Sequence, residues 1–190
     1  MSSDRERWQE RHRARPERAA ASPFVAEQLA RLAPHFAGAR ALDLACGSGR
    51  HAALLARHGF RTVVADHAVA ACRRVADDQP DVHAVAADAL ALPFRTTSFA
   101  VIVQTLFLER AIFPALFSLL APGGVLVAET FLLAQHEATG HPRREFCLAP
   151  GELVRLCTDG GATRVLDAHE GPVPTAGGIS WLASIAACKV

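Results

Sequence analysis

The sequence predicts a doubly wound α/β domain: a seven-stranded, mainly parallel sheet covered by helices on both faces. Two observations carry this. From residue 40 onward, short apolar runs alternate with helical stretches. Those runs are apolar nearly throughout, as strands buried on both faces must be, and right-handed crossovers between them give an open, doubly wound sheet. A third feature places a ligand site. Two glycines, Gly47 and Gly49, fall where the first strand becomes the first helix, and there the helix N-terminus offers free N–H groups.

The elements follow in order. Residues 1–20 (MSSDRERWQERHRARPERAA) are a charged arm or exposed helix ahead of a single domain over residues 21–190. Ser22-Pro23 opens a helix as an N-cap and first-turn pair, with Phe24, Val25, Leu29 and Leu32 on one face, and Pro34 and Gly38 close it. Strands are predicted at residues 41–45, 60–65, 82–87, 99–103 and 125–130, with helices at 50–58, 69–78 and 112–120 between them. A polar loop is expected over residues 133–146, then a helix from about Ala149, and strands at 163–168 and 179–189. The Pro- and Gly-rich segment EGPVPTAGG between those strands reads as an exposed hairpin connection.

Composition narrows the chemistry. The 190 residues are 51% hydrophobic and 21% charged, enough for one buried core. A net charge of +1 is too balanced for a chain that grips nucleic acid through its phosphates. There is no Tyr, and the only Lys is Lys189, which excludes Tyr acids, Schiff-base lysines and a P-loop lysine. Five scattered cysteines without a C-x-x-C pair argue against disulfides and zinc and fit a reducing cytoplasm. No metal site is expected. The N-terminus has no apolar core of the signal-peptide kind, and no apolar run approaches the ~20 residues that span a bilayer.

Three carboxylates define the ligand. Asp66 ends the second strand about 20 residues beyond the glycines, where a carboxylate accepts both hydroxyls of a ribose. Asp43 lies within the first strand, facing the space a pyrophosphate would occupy; its charge disfavours phosphates and suits an ammonium group. Asp88 ends the third strand and can accept from the exocyclic amine of an adenine. Read as G-x-G-x-x-A, Gly47 to Ala52 also fits a dinucleotide site. The three acids favour a cationic, ribose- and adenine-bearing ligand, which describes S-adenosylmethionine.

With LDLACGSGR, VVADH, AADALALPF, SFAVIVQ and LAPGGVLVAETF in this order, the chain resembles class I S-adenosylmethionine-dependent methyltransferases. Within them it is most similar to the tellurite-resistance-methyltransferase branch. Cys46 to Arg50 match its C-G-x-G-R, Trp8 to Arg11 its W-x-x-R, and Pro150 to Leu153 its P-G-E-L. It departs from that branch at His12, where relatives often carry Tyr, and in lacking Asn-Tyr between Gln104 and Arg110. The resemblance implies a Rossmann-like sheet with an antiparallel C-terminal strand and S-adenosylmethionine as cofactor. It sets Gly47 and Gly49 against the methionyl end, with Asp43 near the amino group, and counts Ala45 and His67 among the cofactor-binding residues. It sets Asp66 at the ribose, Asp88 and Ala89 at the adenine, Gln104 beside the sulfonium and Arg11 near the carboxylate.

Methyl transfer from a sulfonium is an in-line displacement, so the protein chiefly aligns the reactants and excludes water. A soft acceptor such as a thiol or a selenium or tellurium oxyanion needs no base, whereas oxygen and nitrogen acceptors do. Candidates for a base are Glu129, His136 and His141, with Arg143 and Arg144 to fix an anionic acceptor. His51 and His58 read as capping or surface residues of the first helix, and the cysteines as core. The expected partner is a small-molecule methyl acceptor, with no nucleic acid and no membrane, in a monomer or homodimer. A nicotinamide-dependent oxidoreductase and a non-catalytic cofactor-binding module are the competing readings.

Overall fold

A computed structural model describes residues 20–190 apart from residues 163 and 176. The calls on Trp8, Arg11 and His12 therefore lie outside the described residues. Strands β1 (Arg40–Leu44), β2 (Arg61–Asp66), β3 (His83–Ala86), β4 (Phe99–Thr105), β5 (Leu120–Phe131), β6 (Arg164–Thr175) and β7 (Gly178–Cys188) form one sheet. Its order is β3-β2-β1-β4-β5-β7-β6. All neighbouring pairs from β3 to β5 are parallel, and β7 runs antiparallel between β5 and β6. The predicted fold, including the antiparallel C-terminal strand, is the observed one.

The helices are α1 (Pro23–Leu32), α2 (Arg50–Arg57), α3 (Val69–Asp78), α4 (Phe113–Leu119), α5 (Leu133–Thr139) and α6 (Glu152–Gly160). Ser22 caps α1, its side chain accepting from Val25 N–H, with Pro23 in the first turn. The two-residue period of the strands divides the core into layers. Ala41, Val101, Val103, Val125 and Val127 meet Val25, Leu29, Leu54 and Leu55 of α1 and α2. Leu42, Leu44, Ile102, Leu126 and Ile185 meet Phe113, Leu116 and Phe117 of α4 and Leu153 and Cys157 of α6. All five cysteines are buried, and none is in a disulfide.

Two predicted connections are structured instead. Residues 133–146, expected as a loop, contain α5 and a 3-10 turn at Arg144–Phe146. This helix is held by polar bonds rather than by an apolar stripe, so it left no periodic signal. Gln135 accepts from Trp181 N–H (2.8 Å), Leu132 N–H donates to Trp181 O (3.0 Å), and Gly140 in the left-handed region closes the helix. The Pro-rich segment after residue 169 is likewise strand: β6 continues to Thr175 and pairs Pro172 with Trp181 and Pro174 with Ile179. Prolines two apart turn both nitrogens to the same side, and β6 is a sheet edge, where a missing donor costs no ladder bond.

The α4–α6 contact is the tightest part of the second layer. An added Cβ on Gly160 would lie 3.1 Å from the Phe117 ring, which itself is 2% exposed. Replacing Phe117 by Ala empties that contact, so the expected loss is about 3–5 kcal/mol of unfolding free energy. Equilibrium urea denaturation measures it, and a loss below about 1 kcal/mol would show that the site collapses to fill the gap.

Candidate active site

The strand order reverses between β1 and β4, the place where open α/β sheets bind ligands at their carboxyl ends. The chain leaves β1 through Ala45, which is not glycine yet has φ +54°, and then turns through Gly47 (φ +53°) and Gly49 (φ +72°) into α2. Leu106, just past β4, also has a positive φ of +53°. Backbone strain at two neighbouring strand ends is a mark of a functional site. Gly49 is required twice over, because a Cβ there would fall 2.6 Å from a Val75 methyl.

Asp66 organises this loop. One of its carboxylate oxygens accepts from Gly47 N–H (2.9 Å) and the other from Ala68 N–H (2.8 Å), joining the glycine turn to the entrance of α3. Asp43, on the face of β1 toward α2, is 1% exposed; Ala52 N–H donates to it, but its Oδ2 has no partner. Burial pushes its carboxyl from the ordinary 3.8 up to about 7; the Asp66 charge adds to the rise, while the Ala52 bond and Arg50 oppose it. Gln104, 2% exposed in β4, donates through Nε2 to Phe107 O (2.7 Å), and its Oε1 is also without a partner. Gln79, whose Nε2 meets Gly49 O at 3.4 Å, holds the third such atom among the described residues. Unpartnered buried acceptors are costly, and these three border the glycine turn or the strands beside it. They suit a ligand that brings N–H donors or positive charge.

The other sequence candidates are spread more widely. Asp88 follows β3, is exposed, and accepts from Leu90 N–H (2.9 Å), capping the 3-10 turn Ala89–Ala91 that includes Ala89. His67 is exposed beside Asp66. Glu129 belongs to β5 itself, is 5% exposed, and accepts from Ser184 Oγ (2.9 Å) of β7. His136 on α5 contacts Pro142 O through Nδ1 (2.9 Å); a carbonyl can only accept, so Nδ1 carries the proton and Nε2 is left as an acceptor. Arg143 pairs with Glu145 (3.1 Å) and lies over the Phe146 ring. Among the described residues, Glu129, His136 and Arg143 do not hydrogen-bond to one another.

His51 corrects the sequence expectation of a capping or surface role. It is 2% exposed, its Nε2 accepts from Ser22 N–H (3.1 Å), and its Nδ1 meets Thr105 Oγ1 (3.2 Å). With Nε2 accepting, Nδ1 must hold the proton and donate to Thr105. Burial, and secondarily the charge of Arg50, lower its pKa from 6.5 to about 3. His51 thus ties the start of α1 to the end of β4 as a neutral group. The spacing that places it one residue inside α2 was visible in the sequence, but its two partners are distant in the chain.

A family profile described as a methyltransferase domain matches residues 41–124. No curated protein is significantly similar in sequence. Among solved structures, a SAM-dependent methyltransferase from Methanosarcina mazei superposes with a TM-score of 0.72 at 19% identity, covering 90% of this chain and 99% of that one. An S-adenosylmethionine-dependent methyltransferase from Mesorhizobium loti gives 0.70 at 18% identity, over 86% and 96% of the two chains. A SAM-dependent methyltransferase from Aquifex aeolicus gives 0.70 at 14% identity over 100% of both.

The two perturbed groups have opposite effects on stability. Asp43 has a folded pKa above its unfolded value, so its contribution is present below the unfolded value and is lost as pH rises through about 7. His51 has a folded pKa below its unfolded value, so its contribution is present above 6.5 and lost as pH falls toward about 3. Asp43→Asn should therefore melt higher than wild type at about pH 8, with the difference closing toward about pH 4. Thermal melts of both proteins across that range decide it; a constant gap would mean that Asp43 does not titrate between the two ends.

Proposed function

We propose that this chain is an S-adenosylmethionine-dependent methyltransferase, a reading supported by the methyltransferase-domain match over residues 41–124 and by the shared fold, and that it methylates a small-molecule acceptor that is a soft or anionic nucleophile. The cofactor is S-adenosylmethionine, and the residues present fit it. The observation that carries the fit is the buried, unpartnered Oδ2 of Asp43 at the end of β1. An ammonium group there satisfies the oxygen and restores the carboxylate's charge, whereas a pyrophosphate would be repelled by Asp43 and Asp66 together.

In this reading Gly47 and Gly49 let the methionyl part approach the backbone, and Asp43 faces its amino group. Asp66 has lone pairs left after its two backbone bonds, and it accepts the ribose hydroxyls. Asp88 and Ala89 meet the adenine, with Ala45 and His67 at the edges of the pocket. Gln104 Oε1 faces the reacting end. When bound, the cofactor supplies an electrophilic methyl carbon and a neutral thioether leaving group. The chain's own task is alignment and exclusion of water.

The acceptor class rests on the tellurite-resistance-like motifs, Cys46 to Arg50 and Pro150 to Leu153, and on the polar groups near β5. Glu129 is committed to Ser184, and His136 is held through Nδ1 with Nε2 available. A soft nucleophile needs neither as a base. Arg143, turned over Phe146 and paired with Glu145, is the group placed to bind an anion if that pair opens.

Calorimetric titration with S-adenosylhomocysteine and NAD in parallel tests the cofactor. The first should bind at micromolar level and NAD should not. Asp66→Ala should weaken binding at least roughly tenfold, about 1.4 kcal/mol. Equal affinities of wild type and variant would remove Asp66 from the site. Transfer of labelled methyl to a panel of thiols and selenium and tellurium oxyanions tests the acceptor. Tight cofactor binding with no transfer to any of them, nor to nitrogen or oxygen acceptors, would leave a binding module.

A further inference from the structure

The opposite end of the sheet, where β1, β2 and β3 begin, carries a cavity bordered by charged side chains. Arg40 opens β1, Arg61 opens β2 and His83 opens β3. The parallel register sets Arg40 beside Arg61 and Val63 beside His83. Arg61 and Val63 are two apart on one strand, so all four side chains leave the same face of the sheet. Together with Asp81 they line a cavity of about 200 Å³. Among the described residues no α-helix covers that face beside β3, because of the connectivity. The crossovers β1–β2 and β2–β3 each carry a helix, α2 and α3, whereas β3–β4 carries only the 3-10 turn Ala89–Ala91.

Two guanidinium groups side by side on adjacent strands repel each other. Among the described residues, neither Arg40 nor Arg61 forms an ion pair with an acidic side chain, although Asp81 lines the same cavity. Arg61 donates through Nε to Gly38 O (2.8 Å), which fixes the plane of its guanidinium and leaves the two terminal nitrogens for a ligand. This is a forked, always-charged donor set, suited to an oxyanion.

We propose that this cavity binds a small, doubly charged oxyanion of the phosphate type, at the end of the sheet away from the cofactor. Arg40 and Arg61 donate to it, and His83 supplies a further donor. Asp81 selects among such anions. A carboxylate on the rim accepts a hydrogen bond from the hydroxyl of hydrogen phosphate, but it only repels sulfate, which has no proton to offer at neutral pH.

The test is calorimetric titration of the full chain with inorganic phosphate, sulfate and chloride at matched ionic strength, with and without saturating S-adenosylhomocysteine. Phosphate should bind more tightly than sulfate, chloride should not bind, and the homocysteine compound should leave phosphate affinity unchanged. Arg40→Gln and Arg61→Gln should each weaken phosphate roughly tenfold without altering S-adenosylhomocysteine affinity. Asp81→Asn should narrow the difference between phosphate and sulfate. Phosphate affinity equal in wild type and both arginine variants would overturn the site. Loss of phosphate binding when the cofactor cleft is filled would reassign it to that cleft, and unchanged discrimination in Asp81→Asn would overturn the selection.

Discussion

A buried carboxylate with one oxygen left without a partner is the constraint around which this fold is arranged. Taking a charge out of water is expensive unless a partner compensates it, and proteins commonly respond by shifting the group toward its neutral form. Asp43 does this: it sits in the middle of the sheet, and its carboxyl titrates near neutrality. The surroundings do not relieve it fully. Ala52 N–H and the charge of Arg50 pull one way, and burial and Asp66 push the other. A well-packed apolar residue at this position would serve the sheet better. Ionised without a partner for its second oxygen, Asp43 weakens the sheet as pH rises through about 7.

Asp66 shows the complementary arrangement. Both of its oxygens are engaged by backbone N–H groups, one from the glycine turn and one from the start of α3. The same carboxylate therefore builds the loop and is the proposed ribose acceptor. Removing it disturbs both, which is why binding and stability must be read together for any change there. Asp43 and Asp66 differ in consequence although both are nearly buried at adjacent strand ends: one is structurally satisfied, the other is not.

Much of this was legible in the sequence, and the reasons are physical. Strands buried on two faces must be apolar throughout, so the parallel part of the sheet showed itself, and α3 matched its expected bounds, Val69–Asp78. The turn through Gly47 and Gly49 followed from what a tight strand-to-helix connection requires. What failed to show was held by long-range polar bonds. Helix α5 depends on Gln135 and the backbone of Trp181, 46 residues away, and β6 accepts prolines because it is the edge strand of the sheet among the described residues. His51 is the clearest case within the site. A helical His next to Arg50 reads as solvated until Ser22 and Thr105, 29 residues before it and 54 after it, are seen to occupy both ring nitrogens.

The near-neutral net charge of +1 conceals an ordered distribution. Strands β1 and β2 each begin with an arginine, Arg40 and Arg61, and each carries an aspartate toward its carboxyl end, Asp43 and Asp66. Parallel strands in register bring like residues together: the two arginines are direct partners at one end, and the acids gather at the other. On these two strands the arginines and the aspartates therefore lie toward opposite ends, although Asp81 borders the arginine end and Arg50 acts on Asp43 at the other. Parallel pairing makes this unavoidable once neighbouring strands share the same polarity of sequence, whereas an antiparallel pair would have set each arginine opposite an aspartate. Composition alone could not reveal where along these two strands the charges lie. The sorting matters because local potential, not total charge, decides which ligand each end attracts.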